Sequence, residues 1–304
     1  MQPIPANFAR MIIEVHQEQG AAWLQRLPDI IDDYAIRWGL TVGPPFEPLS
    51  YNYVAPAVRA DGSDVVLKLG VPEPTVNGEL EALRLYDGRG IVRLLESDAE
   101  QSVMLLERLK PGTMLSSLSD DQQATSIAAG VMRQLWQPVP AEHRFVLLDK
   151  WFAGLAKIRP EFEGGTGPFE ARLVEEAESA SRELLASTAE PMVLHGDFHH
   201  YNVLAAERQP WLAIDPKGIV GDPAYEPGAF LYNALPDHPD DRELGRILVR
   251  RVDQFAEEVP LDRDRVLAWG VAQAVLSGWW SYEDHGHGWE DVMRVAACLS
   301  ALRA

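Results

Sequence analysis

The segment Val193-Leu-His-Gly-Asp-Phe-His-His-Tyr-Asn-Val-Leu204 constrains this chain more than any other. It sets three histidines, an aspartate and an asparagine between apolar flanks. Such flanks imply buried strands holding a polar loop, and burying those groups together costs free energy unless they are paired or bind a ligand. The surrounding chain is large enough to enclose such a loop. Its 304 residues suit two ordinary domains or one large two-lobed unit. A 46% hydrophobic fraction is enough for a sizeable core.

The pattern along the chain divides it into three parts. Residues 1–40 read as a helical N-terminal extension, with Phe8, Met11, Ile12, Val15 and then Leu27, Ile30, Ile31, Tyr34 at helical spacing, punctuated by Pro28 and Gly39. Residues 41–109 read as a β-rich lobe. Tyr53–Arg59 and Asp64–Leu69 flank Ala60-Asp-Gly-Ser63, which predicts a hairpin with an Asp-Gly turn. A helix over Val76–Tyr86 and strands at Ile91–Leu95 and Ser102–Leu106 follow. Residues 110–304 read as mainly helical, with segments near 119–136, 146–158, 169–188, 223–234, 241–258, 263–284 and 289–303 around a β-rich island at 192–215. Strands and helices without regular alternation predict an α+β class.

The polar loop has the spacing of a kinase catalytic loop. Asp197 and Asn202 stand five apart, as in H-R-D-x-x-x-x-N, where the aspartate accepts a hydroxyl proton and the asparagine holds magnesium. Downstream, the apolar run Trp211-Leu-Ala-Ile ends in Asp215, where a kinase-like site carries its second magnesium ligand. Upstream, Lys68 interrupts the strand Val65-Val-Leu-Lys-Leu69. In a kinase lobe this lysine reaches the α/β-phosphates, positioned by a glutamate of the next helix; Glu79 is preferred to Glu81. Its bland alternative is an outward-facing lysine on a half-exposed strand.

These residues, with Trp211-Leu-Ala-Ile-Asp-Pro-Lys-Gly-Ile-Val-Gly-Asp-Pro-Ala-Tyr-Glu226 and Leu83-Arg-Leu-Tyr-Asp-Gly-Arg-Gly90, make the chain resemble the aminoglycoside/hydroxyurea antibiotic-resistance kinases, which include streptomycin phosphotransferases. The resemblance runs from about Ala35 to the end, and Asp-Pro-Lys-Gly is its narrowest marker. It implies a protein-kinase-like two-lobed fold and transfer of a γ-phosphoryl group from ATP, or GTP, to a hydroxyl. Asp197 is then the base, with Asn202 and Asp215 on Mg2+. The loop that covers the phosphates in small-molecule kinases carries glycines. Here Pro48-Leu-Ser-Tyr-Asn-Tyr53 has none, and Ser50 and Asn52 are the candidate contacts. The adenine site is expected at the connector Leu106-Glu-Arg-Leu109, through the backbone of Glu107 and Leu109. His195 is expected to brace the loop, whereas His199 and His200 are candidates to line the acceptor pocket. Gly278-Trp-Trp-Ser-Tyr-Glu-Asp-His285 reads in two ways: as the acceptor site, with Glu283 and Asp284 pairing with a cationic acceptor and Trp279 or Trp280 adding a cation–π contact, or as a solvated helix end with core tryptophans.

Composition limits the partners. With 27 Lys+Arg against 46 Asp+Glu, the net charge of −19 argues against nucleic acid and anionic membranes; it suits a cationic substrate or simply a soluble, self-repelling surface, and does not choose between them. One cysteine, Cys298, excludes an intrachain disulfide framework and a cysteine-rich zinc site. With no signal-peptide pattern and no long apolar run, the expectation is a cytoplasmic monomer or homodimer. Two other readings use the same residues. A metal hydrolase could be built from His195, Asp197, His199, His200 and Asp215, but leaves Asn202 and Lys68 unexplained. A degenerate kinase-fold binding module conflicts with the presence of Asp197, Asn202, Asp215 and Lys68 together. A protein kinase lacks support because neither Asp-Phe-Gly nor Ala-Pro-Glu occurs.

Overall fold

The computed structural model describes residues 4–72 and 78–303. It divides into two compact units, Met1–Gly88 with Val92–Lys110, and Arg89–Ile91 with Pro111–Ala304.

The first unit is built on a five-stranded antiparallel sheet: β1 (Leu40–Val42), β2 (Tyr53–Arg59), β3 (Asp64–Leu69), β4 (Leu94–Asp98) and β5 (Val103–Glu107), ordered β1-β2-β3-β5-β4. The β2–β3 turn is closed by Asp61, whose carboxylate accepts from the Ser63 amide at 2.9 Å, with Gly62 at φ 85°. Because side chains alternate across a strand, Val65, Leu67 and Leu69 share one face and Val66 and Lys68 the other. The first face packs with Tyr53, Ala55, Ala57, Val103 and Leu105 against Phe8, Ile12, Leu27, Ile30 and Tyr34 of α1 (Ala6–Trp38). The N-terminal helix therefore seals the back of the sheet and leaves the Lys68 face to other work. The expected interruption of α1 at Pro28 occurs instead at Gln17, whose φ 50° and ψ −127° break the helix. Pro28 forfeits one backbone hydrogen bond, and the buried Leu24, Leu27 and Ile30 on either side hold that stretch to the sheet.

Two strand and helix boundaries move. The strand expected at Ile91–Leu95 begins at Leu94, while Ile91 bridges Ala213 in the second unit. The helix expected over Val76–Tyr86 is described from Gly78 as α2 (Gly78–Tyr86); Val76 and Asn77 lie outside the described residues.

The second unit is helical around two small sheets. Trp211–Ala213, Val203–Ala206 and Pro111–Met114 form one, and Gln137–Pro138, Met192–Leu194, Ile219–Gly221 and Val146–Leu147 the other. At the centre runs the helix Arg263–His285, buried continuously from Val266 to Leu276. A helix apolar all round must be surrounded by protein, and Ala171–Ala186 and Glu290–Ala301 pack against it. The stretch expected as helix over 146–158 is the two-residue strand Val146–Leu147, a short helix Leu148–Phe152 and the 3₁₀ turn Ala153–Lys157. Pro227 divides the 223–234 segment into a 3₁₀ turn and the helix Gly228–Tyr232. Among the described residues no helix is long and apolar enough to cross a membrane.

One buried cation organises the helices behind the polar loop. Arg251, on the helix Asp241–Glu258, is fully buried and donates to the carbonyls of Phe230, Leu231 and Asn233 at 2.8, 3.0 and 2.9 Å. Its Nη2 meets Asp121 Oδ1 at 2.6 Å, at the start of α3 (Asp121–Leu135). Removing one partner of a buried pair leaves the other charge uncompensated, at a cost of about 3–5 kcal/mol. Arg251→Met should lower the urea midpoint accordingly, and an unchanged midpoint would show that the network contributes nothing.

Candidate active site

The polar loop and the Asp215 loop face one another because the same two sheets anchor both. Residues 195–202 leave the strand Met192–Leu194 and enter Val203–Ala206 through the 3₁₀ turn His200–Asn202. Residues 214–218 run back from Trp211–Ala213 to Ile219–Gly221. Register pairs Leu194 with Ile219 at one end and Val203 with Ala213 at the other. Between these ladders the loops are stitched directly, Ile214 N–H to Asn202 O at 2.9 Å and Lys217 N–H to His195 O at 2.7 Å. Asp197, Asn202, Asp215 and Lys217 are thereby gathered on adjoining loops.

Gly196 makes the close approach feasible. It adopts φ +85°, and a Cβ there would meet Ile219 Cγ1 at 2.8 Å and Lys217 Cβ at 3.3 Å. Asp215 carries the other departure: φ 58° in a residue with a side chain. Left-handed backbone costs of order 1–3 kcal/mol and persists where surrounding structure enforces it, commonly at functional sites.

The histidines divide by environment. His195 is fully buried, with Nδ1 accepting from the Asp197 amide at 3.3 Å and Nε2 against Ile214 O at 2.7 Å. Burial pushes its pKa down to about 4, so the ring is neutral and acts as a brace, with Nε2–H as donor. His199 is beside the carboxylate, its Nε2 3.5 Å from Asp197 Oδ1, while Nδ1 accepts from the Tyr201 amide. His200 departs from the expectation of a pocket lining. It is 2% exposed, stacked on Phe230 at 3.6 Å between ring centroids and 3.4 Å from Arg251 Nη2. Burial, then the neighbouring guanidinium, push its pKa down to about 3. Its ring belongs to the packing behind the loop.

Asn202 donates from Nδ2 to the Asp197 carbonyl at 2.9 Å, which leaves its Oδ1 as an oxygen donor. With the Asp215 carboxylate this is a hard-oxygen pair suited to magnesium, which keeps several waters and takes phosphate oxygens. The same loop does not fit zinc. Both nitrogens of His195 are engaged, His200 is buried, and no group of three His, Cys, Asp or Glu suited to a metal occurs among the described residues.

Glu226 was not singled out from the sequence as a site residue. Its carboxylate is 1% exposed and accepts from the amides of His195 and Gly196, each at 2.8 Å. Both oxygens thus hold the backbone directly before Asp197. A signal was present, since Glu226 is the one acidic or basic residue in the apolar stretch from Pro223 to Ala234.

In the first unit, Lys68 is 1% exposed and its Nζ meets both Glu79 oxygens, at 2.6 and 2.8 Å. The outward-facing alternative is therefore excluded, and Glu79 is the partner. Asn52 Oδ1 lies 2.7 Å from where a Cβ on Gly70 would stand, so Gly70 admits that side chain; Ser50 is exposed. Glu107 holds the chain turn, accepting from the Arg93 amide at 3.1 Å through Oε2, and Leu109 is buried. Of the expected acceptor residues, Glu283 and Asp284 line a surface recess with Lys157, Glu161 and Tyr282. Glu283 is paired there with Lys157 at 2.8 Å. Trp280 packs edge-on against Trp151 at 5.2 Å and is absent from the recess lining.

The family described as aminoglycoside/hydroxyurea antibiotic resistance kinase matches residues 42–285. The chain belongs to that family. It is 36% identical over 288 residues to streptomycin 6-kinase of Streptomyces glaucescens, covering 93% of this chain and 91% of the relative. Identity is 38% over 284 residues to hydroxyurea phosphotransferase of Kitasatospora aureofaciens, covering 92% and 81%. In fold it is similar to the choline kinase LicA of Streptococcus pneumoniae, with a TM-score of 0.62 at 14% identity, covering 91% of this chain and 99% of that one. The chain is thus an ATP-dependent phosphotransferase of α+β, kinase-like fold acting on a small-molecule hydroxyl. The hydrolase and binding-module readings fall away.

Burial pushes Glu226 up to about 7 from an ordinary 4.5, against the two amide hydrogen bonds, which favour ionisation. Between those values the folded chain binds a proton that the unfolded chain lacks. Stability from this group is therefore greatest at low pH and falls as pH rises through 4.5 to 7, by up to about 1.4 kcal/mol per pH unit. Glu226→Gln should flatten that slope in denaturant titrations while lowering turnover, because one amide loses its acceptor. An unchanged slope would contradict the assignment.

Proposed function

We propose that this enzyme transfers the γ-phosphoryl group of ATP to a hydroxyl of a cationic aminoglycoside of the streptomycin type. The observation that carries the reading is Asp197. Its carboxylate keeps 35% exposure while its backbone is fixed through His195, Asn202 and Glu226 on the residues around it. A rigid backbone beneath an accessible carboxylate is what a general base requires.

In this mechanism Asp197 accepts the acceptor's hydroxyl proton as its oxygen attacks the γ-phosphorus. The bond from that phosphorus to the β-bridging oxygen breaks, and ADP leaves with the electron pair. Asn202 Oδ1 and the Asp215 carboxylate are the groups to hold Mg2+, which supplies charge neutralisation to the phosphates when bound. Lys68, oriented by Glu79, takes the α/β-phosphates, and Asn52 and Ser50 contribute from the loop before β2. The backbone at Glu107 and Leu109 takes the adenine. Little covalent chemistry is asked of the protein, and positioning with charge stabilisation supplies the rate.

Two relatives are named as streptomycin 6-kinases, and a net charge of −19 attracts guanidinium-bearing acceptors. The recess edged by Glu161, Glu283 and Asp284 is the candidate surface for them. Hydroxyurea is the second reading, favoured by the 38% identity to a hydroxyurea phosphotransferase.

Incubation with ATP or GTP and a panel of streptomycin, other aminoglycosides and hydroxyurea, read by product mass, tests the proposal. Streptomycin should gain one phosphoryl group, and Asp197→Asn should cut its turnover by roughly 10²–10⁴. Phosphorylation of hydroxyurea alone would transfer the assignment to the second reading. A fully active Asp197→Asn variant would remove the base.

A further inference from the structure

Lys217 has no part in the mechanism above, yet it is held to the polar loop at three points. Its amide donates to His195 O at 2.7 Å, its Cβ lies against Gly196, and its Nζ stands 3.7 Å from Asp197 Oδ2. His199 approaches the other carboxylate oxygen, so the two Asp197 oxygens face different neighbours. The Lys217 side chain keeps 44% exposure, leaving the ammonium accessible to a ligand.

Stability does not account for this placement. An ion pair between partners 44% and 35% exposed contributes about 0–1 kcal/mol after solvent screening. A backbone anchor as short as that of Lys217 instead serves to aim the side chain. The direction of aim follows from the base. An acceptor oxygen within hydrogen-bond reach of Asp197, about 2.6–3.2 Å, places the attacked phosphorus a further ~3–3.5 Å on. A flexible four-carbon stem ending beside Asp197 brings three N–H donors to that same locality. Charge in the transition state collects on the three equatorial phosphoryl oxygens. With Mg2+ assigned to Asn202 and Asp215, Lys217 is the cation that stands beside the Asp197 carboxylate itself.

We propose that Lys217 is a catalytic residue whose ammonium donates to an equatorial oxygen of the transferring phosphoryl group. The inference rests on the reading of Asp197 as base. The oxygen of the acceptor hydroxyl bonds to the γ-phosphorus, its proton passes to Asp197, and the bond to the β-bridging oxygen breaks with its electron pair leaving on ADP. Lys217 keeps all its protons, and its hydrogen bond strengthens as the equatorial oxygens gain charge. Its contribution is therefore to kcat and not to ground-state binding of nucleotide.

The test compares Lys217→Met, Lys217→Arg and Asp197→Asn in the full chain with magnesium. The readouts are kcat and KM for ATP, and equilibrium binding of ADP with and without aluminium fluoride as a mimic of the transferring group. Lys217→Met should lower kcat by ~10²–10³, as loss of one transition-state donor does, with KM near the parent value. Its ADP affinity should persist while the tightening given by aluminium fluoride is lost, and Lys217→Arg should recover part of both. Parental kcat in Lys217→Met, or equal weakening of ADP with and without fluoride, overturns the inference. A slow Asp197→Asn beside a normal Lys217→Met sinks the lysine alone, whereas a fully active Asp197→Asn removes the base on which it rests.

Discussion

A buried carboxylate accepting two consecutive backbone amides is the interaction on which the site depends. Glu226 holds His195 N–H and Gly196 N–H at 2.8 Å each, and so fixes the chain one residue before Asp197. The remaining anchors converge on the same turn. The His195 carbonyl takes the Lys217 amide, the His195 ring links the Asp197 amide to the Ile214 carbonyl, and Asn202 closes on the Asp197 carbonyl. The raised pKa of Glu226 shows that burying its charge costs more than the two hydrogen bonds return. Stability has been given up for a defined loop, a common exchange at sites where geometry sets rate.

Buried charge is used in the same way elsewhere in the molecule. In the first unit a lysine is 1% exposed and held by both oxygens of Glu79, on the sheet face that α1 leaves uncovered. A strand lysine there needs a partner, because an unpaired ammonium in the interior would lose its proton or unfold the sheet. In the second unit Arg251 gathers four carbonyls and Asp121, and its Nη2 meets the ring of His200. Each of these ions fixes a segment of the candidate site from behind: the strand that bears Lys68, and the 3₁₀ turn that carries Asn202.

What the sequence revealed and what it hid follow from how local each signal is. Asp197, Asn202 and Asp215 could be recognised because a loop of fixed length between apolar strands must bring them together, and Lys68 because a charge in an apolar strand demands an explanation. The family and its fold followed from those same residues. Glu226 and Arg251 were silent because their partners are largely backbone groups far along the chain, about which side-chain type says nothing, whereas Lys217 was legible only as part of the Asp-Pro-Lys-Gly marker, with no role attached. His200 misled for the opposite reason: its chemistry suggested a pocket, but packing on Phe230 decided its environment. Trp280 did likewise, its ring turned to Trp151. Pro28 looked like a helix end because local propensity was weighed without the sheet that holds both its flanks.

The dependence of the loop on Glu226 is tested most directly by amide hydrogen exchange at single-residue resolution, comparing the parent chain with Glu226→Gln. In the parent, the amides of His195 and Gly196 should be protected to the level of the neighbouring strand Met192–Leu194. In the variant, protection should fall at 195–197 and at the Lys217 amide bonded to His195, while the helix Arg263–His285 keeps its protection. Equal protection of His195 and Gly196 in both proteins would contradict the account, because the loop would then hold its shape without the carboxylate.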